Sequence, residues 1–295
     1  MLFPLLALFS AFFSGTDQNA LDRIWKGEFT APRPLASIRV MNWNIDRGTR
    51  FDEIAKALEQ DHPDLCLLQE VDLFDRRSGD RNVAEALAQR LGLNYAAAPS
   101  FQELSQASEG NAAYQGQAIL TRLPILKVRV VRFRDQSNWW KPRPYVPNIS
   151  LTQRRLGGRT ALVAELKGTN GTIVVYNTHL ESRSLGKHQT AQMNEILEDA
   201  RQYPKNTPII LAGDFNTKYN RTAFLATLQK AGYHNAFGNH VPRTQRILGG
   251  LDWILVRGPM TVEDASVVKS AHGSDHYPVA ATVVVTPENH AGGAR

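Results

Sequence analysis

The stretch "ILAGDFNTKYN", residues 210–220, decides how this chain is read. Pro208, Ile209, Ile210, Leu211 and Ala212 form a short apolar run of the kind that builds an interior strand, and Gly213 reads as its break. Asp214 and Asn216 then stand at the strand's C-terminal mouth, two residues apart, so their side chains share one face. Asp and Asn also favour strand ends because they bond their own backbone. Taken alone, the stretch is a turn.

Other apolar runs end the same way. "SIRVMNWNI" (37–45) alternates like a strand and carries Asn44 at its end, with Asp46 just beyond. "PDLCLLQEV" (63–71) is continuously apolar until Gln69 and Glu70, and "GTIVVYNTHL" (171–180) reaches His179. "LDWILVRG" (251–258) opens on Asp252, while Asp275 and His276 immediately precede "YPVAATVVV" (277–285). Further strands are expected at 116–122, 125–133 and 159–166. Helical spacing predicts helices over 50–61, 82–92 (closed by Gly92), 187–203 and 221–232. This order implies a mixed α/β protein with much antiparallel pairing. It does not fit a doubly wound dinucleotide fold, which alternates strictly and carries a glycine fingerprint after its first strand.

Composition bounds the rest. The chain has 295 residues, 42% apolar and 21% charged, with no linker-like break. One domain is expected over 36–286, preceded by an apolar segment and leader (1–35) and followed by a tail (287–295). Net charge is +6, and Arg122 to Arg159 holds ten Lys or Arg against one acid, Asp135, a local +9 that leaves −3 for the remainder. Such a basic run suits a polyanionic partner, nucleic acid or a lipid surface. The single cysteine, Cys66, excludes an intrachain disulfide and a thiolate zinc site, and its Leu neighbours make it a small core residue. "MLFPLLALFSAFFS" (1–14) is short for a transmembrane helix and lacks a basic flank and a small-residue cleavage site. Export or membrane association is the expectation, or a cytoplasmic protein if that run is a mis-assigned start.

Strand ends are where a rigid scaffold holds side chains around one point. So many of them carrying Asp, Glu, Asn or His, with hardly a Lys, point to a metal-centred site. "NWNI", "LLQEV", "VVYNTHLES", "ILAGDFN", "LDWILV" and "GSDHYPV" occur in the order and spacing of the endonuclease/exonuclease/phosphatase superfamily, and the chain resembles pancreatic deoxyribonuclease and the abasic-site endonucleases from about Ser37 to Val285. The resemblance implies a four-layer sandwich, two mixed β-sheets face to face with helices outside and the catalytic groups at one edge. It implies that Glu70 is the principal metal-binding carboxylate, with Asn44, Asp275 and Asp46 as further metal-proximal groups. Asp214 would orient the attacking water, Asn216 bind phosphate, and His276 form a dyad with Asp252, while His179 would donate to a phosphoryl oxygen. The cofactor implied is Mg2+, with Mn2+ or Ca2+ as alternatives, since hard cations take oxygen ligands. Arg159 matches a position commonly Arg, open between a phosphate contact and a structural ion pair. Tyr114 falls on a loop that lines the cleft in relatives, or simply packs.

The expected activity is metal-dependent phosphodiester hydrolysis by in-line attack of water, a nuclease acting on DNA or RNA. The alternatives are a sphingomyelinase-like lipid phosphodiesterase and a phosphoinositide or sugar phosphatase. Trp139, Trp140 and Tyr145 sit among cations in residues 132–155. They could stack on bases, anchor at a phospholipid headgroup layer, or pack on their own loop. No protein partner can be inferred.

Overall fold

A computed structural model of the protein describes residues 18–139, 141–143, 145 and 155–286. The first sheet contains β1 (Trp25–Gly27), β2 (Ser37–Arg47), β3 (Leu65–Asp75), β4 (Arg81–Asn82), β5 (Asn94–Glu103), β6 (Ala113–Thr121), β8 (Arg155–Gly157), β14 (Met260–Val267) and β15 (Val279–Val285). The second contains β7 (Ile125–Arg132), β9 (Thr160–Gly168), β10 (Gly171–His179), β11 (Ile209–Asp214), β12 (His234–Asn235) and β13 (Asp252–Arg257). Their orders are β1-β5-β6-β3-β2-β15-β14, with β4 on β3 and β8 on β5, and β12-β13-β11-β10-β9-β7. Only β2–β3 and β10–β11 are parallel pairs, so both sheets are mixed. The helices are α1 (Gln18–Leu21), α2 (Phe51–Asp61), α3 (Val83–Leu91), α4 (Lys187–Asp199) and α5 (Arg221–Lys230).

Period-two alternation explains the layers. Along β2, Ile38 and Val40 join the core between the sheets, while Met41, Trp43 and Ile45 face α2 and α3. Along β11, Ile210 and Ala212 face the other sheet, and Ile209 and Leu211 meet Met193 and Ile196 of α4 and Phe224 and Leu228 of α5. Both sheets are therefore covered on both faces, which is why their central strands read as unbroken apolar runs. The four-layer sandwich expected from the sequence is the fold observed. Cys66 packs in the helix-side core of the first sheet, where burial pushes its thiol up. Gly92 closes α3 in the left-handed conformation, as expected.

Three differences from the sequence reading have local causes. Gly213 does not break its strand: β11 runs through it to Asp214, pairing Gly213 with Thr178. A Cβ at Gly213 would lie 1.8 Å from the Thr178 carbonyl oxygen, so the glycine permits a close strand approach. Second, β5 was not expected, because "NYAAAPSFQE" is rich in Ala and holds Pro99; the Pro sits beside a register shift, where a missing N–H disturbs the ladder least. Third, Tyr114 lies within β6 rather than on a loop.

The sheets are also joined by amides. Gln69 Nε2 donates to Asn42 Oδ1 and to Asn177 Oδ1, each at 2.7 Å, and Asn177 Nδ2 donates to the Leu68 and Ala118 carbonyls at 2.9 and 2.8 Å. All three side chains are fully buried, so this bridge fixes one sheet's position over the other next to Glu70.

Candidate active site

The C-terminal ends of β10 and β11, the start of β13, the end of β2 and the bulge in the middle of β3 meet at one edge of the sandwich. His179 pairs with Asp214 across β10–β11, and Asp214 with Asp252 across β11–β13. From the facing sheet, Asn44 reaches between two carboxylates, its Nδ2 lying 3.2 Å from both Glu70 Oε1 and Asp214 Oδ2. The β2–β3 register shifts between Asn44 and Arg47, and the β3–β6 register between Gln69 and Val71. Bulges of this kind re-aim a side chain. Asp46 (φ 42°), Glu70 (φ 52°) and Asn216 (φ 50°) all hold the left-handed conformation, uncommon for residues other than glycine and costing on the order of 1–3 kcal/mol each.

Asp214 is the focal group. Its Oδ1 accepts from the Asn216 amide at 2.9 Å, and its Oδ2 lies 3.6 Å from His179 Nε2 and 3.7 Å from His276 Nε2. The Asn216 side chain is anchored to the Leu180 carbonyl at 3.1 Å. His276 Nδ1 donates to Asp252 Oδ2 at 2.8 Å, forming the expected dyad. Two hydroxyls missed by sequence reasoning hold that dyad in place. Thr244 Oγ1 accepts from the amides of Leu251 and Asp252, and Ser274 Oγ donates to the Asn44 carbonyl and accepts from the His276 amide. Ser274 lies inside "GSDHYPV" and was legible as a neighbour; Thr244 carried no sequence signal.

Electrostatics separates the roles. Burial opposes ionisation of Glu70, but His179, Arg47, Arg155 and Arg159 outweigh it and hold its pKa at about 2. Burial, aided by Arg159, takes His179 down to about 4, so this ring is neutral at neutral pH and the arginines then carry the field on Glu70. Burial also works against the His276 cation, yet Asp252 and Asp214 overcome it and raise the ring to about 10. Burial, with Asp252, raises the Asp214 pKa against the two histidines. One imidazole is thus neutral, one is cationic, and a basic carboxylate lies between them.

Two groups of side chains supply ligands of the kind a divalent cation takes. Burial first, then Glu70 and Asp275, make Asp46 harder to ionise, against Arg47, so Asp46 lies within electrostatic reach of both other carboxylates. Glu70 remains partly open to solvent at 22% side-chain exposure, room for the waters a hard cation retains. Asp46 pairs with Arg47 here, and Asp275 Oδ2 accepts from Gln245 Nε2 at 3.2 Å. A second group, Asp214, Asp252 and His276, brings one ligand atom from each within 4.8 Å of the others. There the imidazolium proton shared with Asp252 competes with a cation.

The substrate-facing residues fare unevenly. Arg159 is buried, with its guanidinium 5.5 Å over the Phe101 ring and its charge felt by Glu70 and His179. Its Nε donates to no acceptor among the described residues. Tyr114 is buried, its ring 5.7 Å from that of Trp25, centroid to centroid. Trp139 is half-exposed, covered on one face by Arg183 at 4.7 Å. Trp140 lies outside the described residues.

Residues 41–276 match the sequence profile of the Endonuclease/Exonuclease/phosphatase family. Among solved structures, the chain is similar to an endonuclease/exonuclease/phosphatase from Beutenbergia cavernae (TM-score 0.63, 18% identity, 85% of this chain and 72% of that one). It is likewise similar to the human Nocturnin catalytic domain with bound sulfate anion (TM-score 0.63, 18% identity, 90% and 98%) and to humanized D. rerio TDP2 (TM-score 0.57, 19% identity, 84% and 99%). At these identities the likeness is one of fold. No curated protein matches the sequence.

Proposed function

The chain belongs to the Endonuclease/Exonuclease/phosphatase family, whose members are divalent-metal-dependent phosphoesterases, and we propose that its site hydrolyses phosphodiesters by in-line attack of water oriented by Asp214. The observation that carries this reading is the position of Asp214 Oδ2, within 3.7 Å of both His179 and His276 and hydrogen-bonded to Asn44. Its raised pKa makes it a stronger base than an ordinary carboxylate, suited to drawing a proton from water. His276, kept cationic by Asp252, donates through Nε2 to a phosphoryl oxygen as negative charge builds on it. His179 and Asn216 flank the same position as neutral donors. Glu70 would hold the cation with Asn44, Asp46 and Asp275 around it, and the bound metal supplies Lewis-acid neutralisation of the phosphate.

For the substrate, the basic run favours nucleic acid, with a phospholipid headgroup ester as the second reading. The fold qualifies the charge argument. Arg122 pairs with Asp64, Arg129 with Asp199, Arg132 with Asp22, Arg134 with Glu195 and Arg155 with Glu103, so acids from elsewhere in the chain offset half of those cations. The test is a panel of plasmid, single-stranded oligonucleotide, sphingomyelin vesicles and bis(p-nitrophenyl) phosphate, with Mg2+ or chelator. Turnover of at least one diester is expected, lost with chelator and reduced about 100- to 10,000-fold in Asp214→Ala. An Asp214→Ala protein as fast as wild type would remove the role given to this carboxylate.

A further inference from the structure

The topology gathers particular loops at the catalytic edge. β10 and β11 end there, at His179 and Asp214; β9 and β13 run against them and begin there, and β7 ends beside the start of β9. The connections 180–186, 215–220 and 236–251, and the described residues that follow β7 (133–139, 141–143 and 145), therefore project from that edge. So does 104–112, because Tyr114, at the start of β6, pairs with Leu73, beyond Glu70.

Among the described residues, the large apolar side chains left exposed are confined to these loops, Phe29 and Leu126 excepted. They are Leu104, Trp139, Tyr145, Leu185, Tyr219, Ile247 and Leu248, with Ile247 82% and Leu185 68% exposed. Scattered exposed apolar residues are ordinary; their restriction to one edge is not. Their chemistry narrows the partner. Leu and Ile have no π face to stack on a base, whereas aliphatic tips beside Trp and Tyr are what a bilayer's interfacial layer accepts. Cations accompany them: Arg183 over Trp139, Arg246 4.6 Å over Tyr277, Lys218 on the loop after Asn216 and Lys187 at the start of α4. Of the loop acids, Asp135 is engaged by His188 and Glu181 by Ser137, while Glu109 stands exposed on 104–112. No helix among the described residues is long and apolar enough to cross a membrane.

We propose that this edge docks on the surface of a phospholipid bilayer, with Leu185, Ile247 and Leu248 entering the headgroup layer and the basic residues meeting lipid phosphates. Resting on the phosphodiesterase reading above, this makes the substrate class a phosphodiester displayed at the lipid–water interface. The cations steer the edge to an anionic leaflet, and the aliphatic tips hold it with the catalytic cleft against the headgroups.

The test compares the full chain with a triple variant, Leu185→Ser/Ile247→Ser/Leu248→Ser, none of whose positions lies in the catalytic machinery. Three readouts are taken: co-sedimentation with phosphatidylcholine/phosphatidylglycerol vesicles, binding of a single-stranded oligonucleotide, and turnover of bis(p-nitrophenyl) phosphate. The expected result is about a tenfold or greater loss of vesicle binding in the variant, with oligonucleotide binding and small-diester turnover unchanged. Equal sedimentation of both proteins, or of neither, overturns the proposal. Loss of oligonucleotide binding by the variant overturns it too and makes the edge a nucleic-acid surface. A wild-type chain that binds vesicles through these tips but turns over no diester would instead overturn the phosphodiesterase reading and leave the docking surface standing.

Discussion

Gly213→Ala isolates the geometry on which the site depends. The new Cβ would lie 1.8 Å from the Thr178 carbonyl oxygen and 2.8 Å from its carbon, both rigid backbone atoms of the neighbouring strand. Since Cβ atoms do not approach other atoms closer than 3.0 Å, β10 and β11 must part by about 1 Å or twist away from each other. The next pair in that ladder is His179 with Asp214. A misplacement of about 1 Å at reacting groups costs on the order of 100-fold in rate. Overpacking itself costs about 1–3 kcal/mol, a fall of about 2–12 °C in Tm for a domain of this size. The assay is bis(p-nitrophenyl) phosphate turnover with Mg2+, run well below the variant's Tm, alongside a thermal melt. Gly92→Ala serves as control: its Cβ meets nothing within 4 Å, so only the left-handed backbone is penalised, by about 1 kcal/mol, and turnover should be preserved. A Gly213→Ala protein with the wild-type rate would refute the reasoning, whatever its melting temperature.

Three further outcomes are expected. Asp252→Asn keeps an acceptor for His276 but removes the charge that takes its pKa to about 10, so the alkaline limb of the pH–rate profile should move to lower pH. The linked stability contribution, whole below the ordinary 6.5 and lost as pH climbs through about 10, should flatten in the variant's melts. For the cation, adding Mg2+ to chelator-treated protein should raise the wild-type Tm, with about 2.7 kcal/mol of stabilisation at a hundredfold excess over Kd; Glu70→Gln should abolish most of that rise. Finally, Arg77→Met strips the guanidinium from buried Asp72, Asp75 and Glu103 and should cost about 3–5 kcal/mol in urea unfolding. Burial already raises Asp72 to about 7 and Asp75 to about 6. Folding therefore binds their protons more tightly, and the variant's deficit should be larger at pH 8 than at pH 5.

Much of this was legible because the site is written at strand ends. Asn44, Glu70, His179, Asp214 and His276 each follow or precede an apolar run whose period and length the sequence displays, and the fold brings those five together. What escaped reading depends on contacts distant in the chain. Gly213 looks like a breaker until Thr178 is placed against it. β14 hid because it is an edge strand with exposed Glu263 and Asp264 and a register shift before Ser266. The +9 run looked like a polyanion groove because its acidic partners, Asp64, Asp199, Asp22, Glu195 and Glu103, lie mostly far away in sequence. The apolar rim was equally hidden, since exposure of Leu185, Ile247 or Leu248 is a property of the tertiary structure and not of the local pattern.

The amides of Asn42, Gln69 and Asn177 have a consequence for how the enzyme comes into being. Half the reactive groups belong to one sheet and half to the other, and the rivet between them leaves the two halves no freedom to slide past each other. Assembly of a working centre therefore coincides with the final docking of the sandwich.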